Sequence, residues 1–168
     1  MAGVVDKEFI SPHAALRKAF SMFPTGVVAM CGMEAEKPLG MAVNSFSSVS
    51  LEPALVAVCV AHTSSTWPRL NSLPRIGLSV LGSDQEMLSR RLSSKAGDRF
   101  ENARWQASEE GAVFIEGATL WLECTINDRV RGGDHDIILL EVLSSQLFPE
   151  IAPLVFHQSQ YLGLSAAP

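Results

Sequence analysis

The stretch from Gly40 to Val58, GMAVNSFSSVSLEPALVAV, constrains the fold more than any other part of the chain. Met41, Val43 and Val49 alternate with small or polar residues at the two-residue period of a strand. Asn44, Ser45, Ser47, Ser48 and Ser50 stand where a purely structural strand would carry Val or Ile. Pro53 then sets off a second apolar run, from Ala54 to Val60. Buried polar groups need partners, so a polar island between two core strands points to a bound ligand. A serine-rich hairpin turn, its hydroxyls bonded to nearby backbone, accounts for the same residues. Both readings stand at this level.

The remainder of the chain narrows the fold class. Its 168 residues, 47% hydrophobic and 18% charged, are expected to form one domain over residues 1–168. A chain of this size buries roughly 70% of its unfolded surface without staples. The net charge of -5 carries no block of like charge, which argues against a nucleic-acid surface or an anionic-membrane patch. Cys31, Cys59 and Cys124 lie far apart in apolar runs, read as reduced core residues, and show no metal spacing. The N-terminus lacks the pattern of a signal peptide, and the longest apolar run, Ala54 to Ala61, is far too short to span a bilayer. The expectation is a soluble, cytoplasmic protein.

Residues 1–10 read as a loose leader. Ser11 and Pro12 open a helix with Leu16, Ala19, Phe20 and Phe23 on one face, and Pro24 ends it. Thr25 to Cys31 reads as a strand and Gly32 to Pro38 as a polar turn. After the strand at Ala54 to Val60, Ser65 or Thr66 caps a short helix holding Trp67, Leu70 and Leu73. Strand Ile76 to Leu81 leads to a capping box, Ser83-Asp84-Gln85-Glu86, and a helix carrying Met87, Leu88 and Leu92. Residues 93–117 read as loop anchored by Phe100 and Trp105. Ala118 to Val130 and His135 to Ser145 form a hairpin across RGGD, and Pro153 to His157 is the last strand. About seven strands joined by short turns favour an antiparallel barrel, mainly β with short α insertions. Several strands are apolar on both faces, which requires cover from helices or from another subunit; a homodimer is the economical expectation.

Two further spots carry chemistry. Ser64, Ser65 and Thr66 precede a helix, where hydroxyls and free backbone N–H groups suit a phosphate, or simply cap the helix. Arg90, Arg91 and Arg99 are candidates to add charge there. Gly132-Gly133-Asp134-His135 either places a histidine at a ligand-facing strand entry or forms a type I′-like turn. No nucleophile elbow, P-loop or dinucleotide glycine fingerprint occurs, so serine catalysis and a doubly wound nucleotide fold are unsupported.

Taken together, the segments resemble the flavin reductase-like family, the small reductases that serve two-component flavin monooxygenases. The matching pieces run in order: FPTGV (Phe23 to Val27), GMAVNSFSSVSLEPALV (Gly40 to Val56), SST (Ser64 to Thr66) and SVLGSDQEMLSRRL (Ser79 to Leu92). DRF (Asp98 to Phe100), WLEC (Trp121 to Cys124), GDHDI (Gly133 to Ile137) and PLVFH (Pro153 to His157) complete the set. The resemblance implies a split β-barrel homodimer of the FMN-binding type that reduces FMN or FAD with NADH or NADPH, for a separate monooxygenase. On that pattern Thr25 and the segment Met41, Ala42, Val43, Asn44, Ser45, Ser48, Val49 and Ser50 lie along the flavin ring. Ser64, Ser65 and Thr66 hold the phosphate, Arg99 and Phe100 join the cofactor-binding set, and His135 lines the nicotinamide side as the catalytic candidate. Leu140 stands where many members have glycine, and is expected to reshape the nearby pocket. Two rivals share the barrel: a flavin or haem carrier or sensor that oxidises no nicotinamide, and an amine oxidase with permanently bound FMN.

Overall fold

In the computed structural model, which describes residues 13–164, the central stretch supplies both edge strands of one sheet and the start of the strand beside one of them. In chain order the first elements are α1 (His13–Phe20), β1 (Thr25–Gly26), β2 (Val28–Glu34), β3 (Lys37–Val43), β4 (Ser47–Leu51) and β5 (Ala54–Ala61). There follow α2 (Trp67–Leu70), β6 (Ile76–Val80), α3 (Glu86–Leu92), β7 (Trp105–Ala107) and β8 (Val113–Ile115). The chain ends with β9 (Leu120–Gly132), β10 (His135–Leu147), β11 (Leu154–His157) and β12 (Gln160–Gly163). The main sheet has seven antiparallel strands in the order β3-β2-β6-β9-β10-β5-β4. β1, β11 and β12 form a second sheet, and β7 pairs with β8.

Its two edge strands, β3 and β4, are neighbours in sequence, joined only by Asn44, Ser45 and Phe46. A flat sheet of this width would hold its edges about 29 Å apart. The chain from Val43 to Ser47 reaches at most about 14 Å. The sheet therefore curls until its edges approach. They do not pair with each other, which leaves the barrel split. The Ser45 hydroxyl fixes the corner: it accepts from the Cys59 N–H at 2.8 Å and meets the Cys59 carbonyl oxygen at 3.1 Å.

Inside the curl Val28, Met30, Val58, Leu78, Ile138 and Leu140 make the main core. On the opposite face of β2, Ala29 and Cys31 pack with Leu81, Leu92, Val113 and Leu154. That strand is buried on both sides, which is why it shows no alternation in the sequence. The outer face of β4, β5 and β10 is different: Val49, Ile137 and Leu143 stay exposed. Among the described residues no helix covers it. The apolar face expected of α1 is likewise open, with Phe20 71% and Phe23 75% exposed; Ser11 and Pro12, its expected start, lie outside the described residues.

Local details depart from the sequence expectations for identifiable reasons. The turn expected over Gly32 to Pro38 shrinks to Ala35 and Glu36, both at positive φ, because the β2–β3 pairing runs out to Glu34 and Lys37. The expected capping box does not form: Gln85 stands at the start of α3 and makes no side-chain cap. Instead its carbonyl accepts from the Gly82 N–H at 2.8 Å, while its amide donates to the Glu116 carbonyl at 2.7 Å. Residues 93–117 include the β7–β8 hairpin, and the tail adds β12. At the β9–β10 tip only Gly133 has positive φ (+70°), the pattern of a II′ turn instead of the expected I′ form.

Gly77 shows how tightly β6 meets β8: a Cβ there would lie 2.1 Å from the Val113 carbonyl oxygen. Gly77→Ala is expected to destabilise the fold by roughly 1–3 kcal/mol through overpacking. Urea unfolding of both forms checks this; an unchanged midpoint would contradict the packing described.

Candidate functional site

Two clefts on the β3 side of the barrel join into one groove. The first, about 180 Å³, lies between β3, α3 and the β11–β12 hairpin, where Val27, Ala42, Val43, Asn44, Phe156 and Tyr161 make its walls. The second, about 230 Å³, continues past Met41 to Ser64, Ser65, Thr66 and Arg99. Ala42 and Ser93 line both. One end of the groove is therefore apolar and aromatic, and the other is a cluster of hydroxyls.

The polar end gathers hydroxyls and cations. Arg99 donates from one nitrogen to Thr66 Oγ1 at 2.6 Å and to the Gly40 carbonyl at 2.9 Å, which aims its guanidinium along the wall. Lys95 adds a second cation, and no carboxylate lines this cleft. Ser64 Oγ accepts from the Trp67 N–H at 3.1 Å, so Ser64 caps α2 in place of Ser65 or Thr66, the expected caps, and Thr66 makes no cap hydrogen bond. With only four residues, α2 contributes little dipole. What this cleft offers a negatively charged group comes from side chains: three hydroxyls and two cations.

Thr25 tests whether a flat polar ring fits the apolar end. Its hydroxyl is buried and has no partner. It pairs in register with Phe156 and lies two residues before Val27, both groove-wall residues. A buried orphan hydroxyl is costly unless a ligand group meets it. Flavin edge atoms supply such groups, and the residues present fit it.

The groove brings together Met41, Ala42, Val43 and Asn44 with Ser64, Ser65, Thr66 and Arg99. Other expected site residues stand apart from it. Ser45 spends its hydroxyl on Cys59. Ser48 and Val49 are exposed on the edge strand β4, and Ser50 accepts from the Glu52 N–H at 3.3 Å. Phe100 packs into the core beside Cys31. Arg90 pairs with Glu86 and lies 4.9 Å from the Tyr161 ring centroid, and Arg91 is engaged by Glu101. Neither line the anion cleft. Leu140 is fully buried in the barrel interior opposite Val56 and lines neither cleft of the groove.

His135 sits at the start of β10, half-exposed, with Nδ1 2.7 Å from Asp134 Oδ1. That hydrogen bond holds the Asp134 carboxyl below the usual range. In register it opposes Ala61, a residue of the anion cleft. Burial pushes the Cys31 thiol far up and Cys124 up to about 12, so neither supplies a thiolate.

Several residues of the site escaped sequence reasoning. Ser89 and Ser93 lie at four-residue spacing on α3, and that spacing was a usable sign of a small polar helix face. Tyr161 meets Ser89 Oγ at 2.9 Å from a segment read as tail. His62, Asp136 and Arg129 form an ion cluster whose members are up to 74 positions apart, with no local signal.

Residues 20–165 match the family model described as flavin reductase like domain. An NADH-dependent FAD reductase of Streptomyces globisporus is 37% identical over 161 residues, covering 92% of this chain and 88% of that protein. A reductase subunit of a flavin-dependent monooxygenase from Mycobacterium tuberculosis is 33% identical over 150 residues, covering 88% and 80%. The solved NADH:FAD oxidoreductase of Streptomyces globisporus C-1027, in complex with NAD and FAD fragments, superposes with a TM-score of 0.88 at 36% identity, covering 95% of this chain and 98% of that one. With residues 20–165 matched and a split antiparallel barrel that superposes on a solved relative, the chain belongs to the flavin reductase-like family.

Proposed function

We propose that this protein is an NAD(P)H:flavin oxidoreductase that reduces FMN or FAD and releases the product to a separate monooxygenase. The observation that carries the reading is the single groove, aromatic and apolar at one end and lined by hydroxyls and cations at the other. The relatives named above, an NADH-dependent FAD reductase and a monooxygenase reductase subunit, support it. They lend nothing to a carrier or sensor.

When bound, flavin supplies the redox chemistry, taking two electrons and a proton as hydride from nicotinamide. The chain's own task is placement. Val27, Ala42, Val43 and Phe156 give a wall that excludes water on one ring face. Small side chains at Ala42 and Asn44 let the backbone come close, where its dipoles can stabilise developing negative charge. Ser64, Ser65, Thr66, Arg99 and Lys95 hold the phosphate and so fix the ring along the groove. His135, beside the cleft through Ala61, positions the nicotinamide.

The reading includes a homodimer. The exposed Val49, Ile137 and Leu143 on the outer sheet face are supporting evidence, since a second copy would bury them. The three unpaired cysteines support a cytoplasmic setting.

Three outcomes follow. Purified protein mixed with NADH in air should consume it only when FMN or FAD is added, and the two rates give the flavin preference; flavin binding without consumption would move the reading to a carrier. His135→Ala should raise the KM for the nicotinamide about tenfold, one charged hydrogen bond's worth, and leave flavin affinity within about twofold. Equal kinetics for both forms would remove the role. Sedimentation should give a species of about twice the 18.1 kDa chain mass, and a monomer at micromolar concentration would exclude the dimer.

A further inference from the structure

His135 is flanked by two aspartates that differ in kind. Asp134 meets its ring from solvent, with a side chain 89% exposed, and such a pair holds little. Asp136 points to the opposite face of β10 and is only 3% exposed. It continues the interior row of Ile138 and Leu140, both fully buried. Stability alone does not call for a carboxylate there, because an apolar residue in place of a buried ion pair is often no less stable. The charge has another use.

His62 Nε2 lies 2.9 Å from Asp136 Oδ1, and the Arg129 guanidinium pairs with Oδ2. An ionised carboxylate only accepts, so the imidazole donates. These contacts, that of His62 first, hold the Asp136 carboxyl below its usual range. His62 also donates its backbone N–H to the Asp134 carbonyl at 3.0 Å. One residue thus grips the chain on both sides of His135, at Asp134 through its backbone and at Asp136 through its side chain. Arg129 ties in β9 as a third strand. His62 itself stands between Ala61 and Thr63, and these line the cleft with Ser64, Ser65 and Thr66. The clamp therefore sets the spacing between that cleft and the tip that bears His135.

We infer that Asp136 is a positioning residue for hydride transfer: its clamp on His62 and Arg129 fixes His135 against the cleft, and it acts through His135. The inference rests on the reductase reading above and on the nicotinamide role given there to His135.

Three variants test it. Asp136→Leu keeps the position buried and removes the clamp, Asp136→Asn keeps an acceptor for His62 without the charge, and His62→Ala leaves Asp136 paired with Arg129. Steady-state NADH oxidation at saturating FMN is measured beside FMN affinity and the urea midpoint. Asp136→Leu should hold the midpoint yet raise the NADH KM about tenfold, as His135→Ala does, with kcat and FMN affinity within about twofold. Asp136→Asn should fall between Asp136→Leu and the intact chain. In a His135→Ala background, Asp136→Leu should raise the KM no further, whereas a direct ligand contact or a loosened fold would add its own factor. Additive losses overturn the inference, and so does a lowered midpoint with an unchanged KM. Should Asp136→Leu fail to fold, His62→Ala decides: a KM rise that disappears in the His135→Ala background supports the clamp, and an absent or additive rise overturns it. An intact chain that oxidises no NADH with flavin added defeats the reductase reading itself, whereas an active chain whose variants keep its KM defeats this inference alone.

Discussion

The structure turns on a short tether. Three residues, Asn44, Ser45 and Phe46, connect strands that occupy opposite edges of a seven-stranded sheet. Chain length leaves the sheet no alternative to curling, and the Ser45 hydroxyl locks the corner to the backbone of Cys59. From that corner the rest follows. β3 presents Met41 to Val43 as one groove wall, and β5 delivers Ala61 and then Ser64 to the groove's far end. The start of β10 lies against Ala61, which brings His135 beside the same cleft.

The physical roles in the site divide by side-chain type. No buried acid–base pair lines the groove, and the chemistry does not need one, because hydride transfer is carried by the cofactor. Its walls are apolar where water must be excluded and cationic where a phosphate must be held. The buried Asp136 stands apart from this, serving as an anchor for two basic side chains instead of a proton donor. Asp134 does the same on a smaller scale for His135.

Much of the architecture is readable before any coordinates. Two-residue alternation around Met41 and Val43, the long apolar runs of β5 and β10, and short turns between them imply an antiparallel barrel. The Ser64–Thr66 cluster is legible as a candidate anion site or a helix cap, and the structure shifts the ground for the first: side-chain donors and Arg99 line the cleft, while α2 is too short for its dipole to matter. The polar island around Ser45 proves to hold both readings at once. Asn44 faces the groove, whereas Ser45, Ser47 and Ser50 bond to backbone in the manner of a serine-rich turn. Which serine does which depends on how the sheet curls, a long-range property that no local pattern encodes. The same holds for Leu140, whose place in the interior follows from β10 register. It holds again for the His62–Asp136 pair, made by strands far apart in sequence. The capping box failed for a local reason: Gln85 bonds more profitably to the neighbouring Gly82 and Glu116 backbone.

The central claim is that the groove holds a flavin with its phosphate among Ser64, Ser65, Thr66 and Arg99. Equilibrium binding of FMN and of riboflavin, which lacks the phosphate, to the intact protein and to Arg99→Gln tests it most directly. The account predicts that the substitution weakens FMN about ten- to a hundredfold, the worth of charge-assisted hydrogen bonds, and leaves riboflavin within about twofold. Equal losses for both ligands, or none for either, would contradict it.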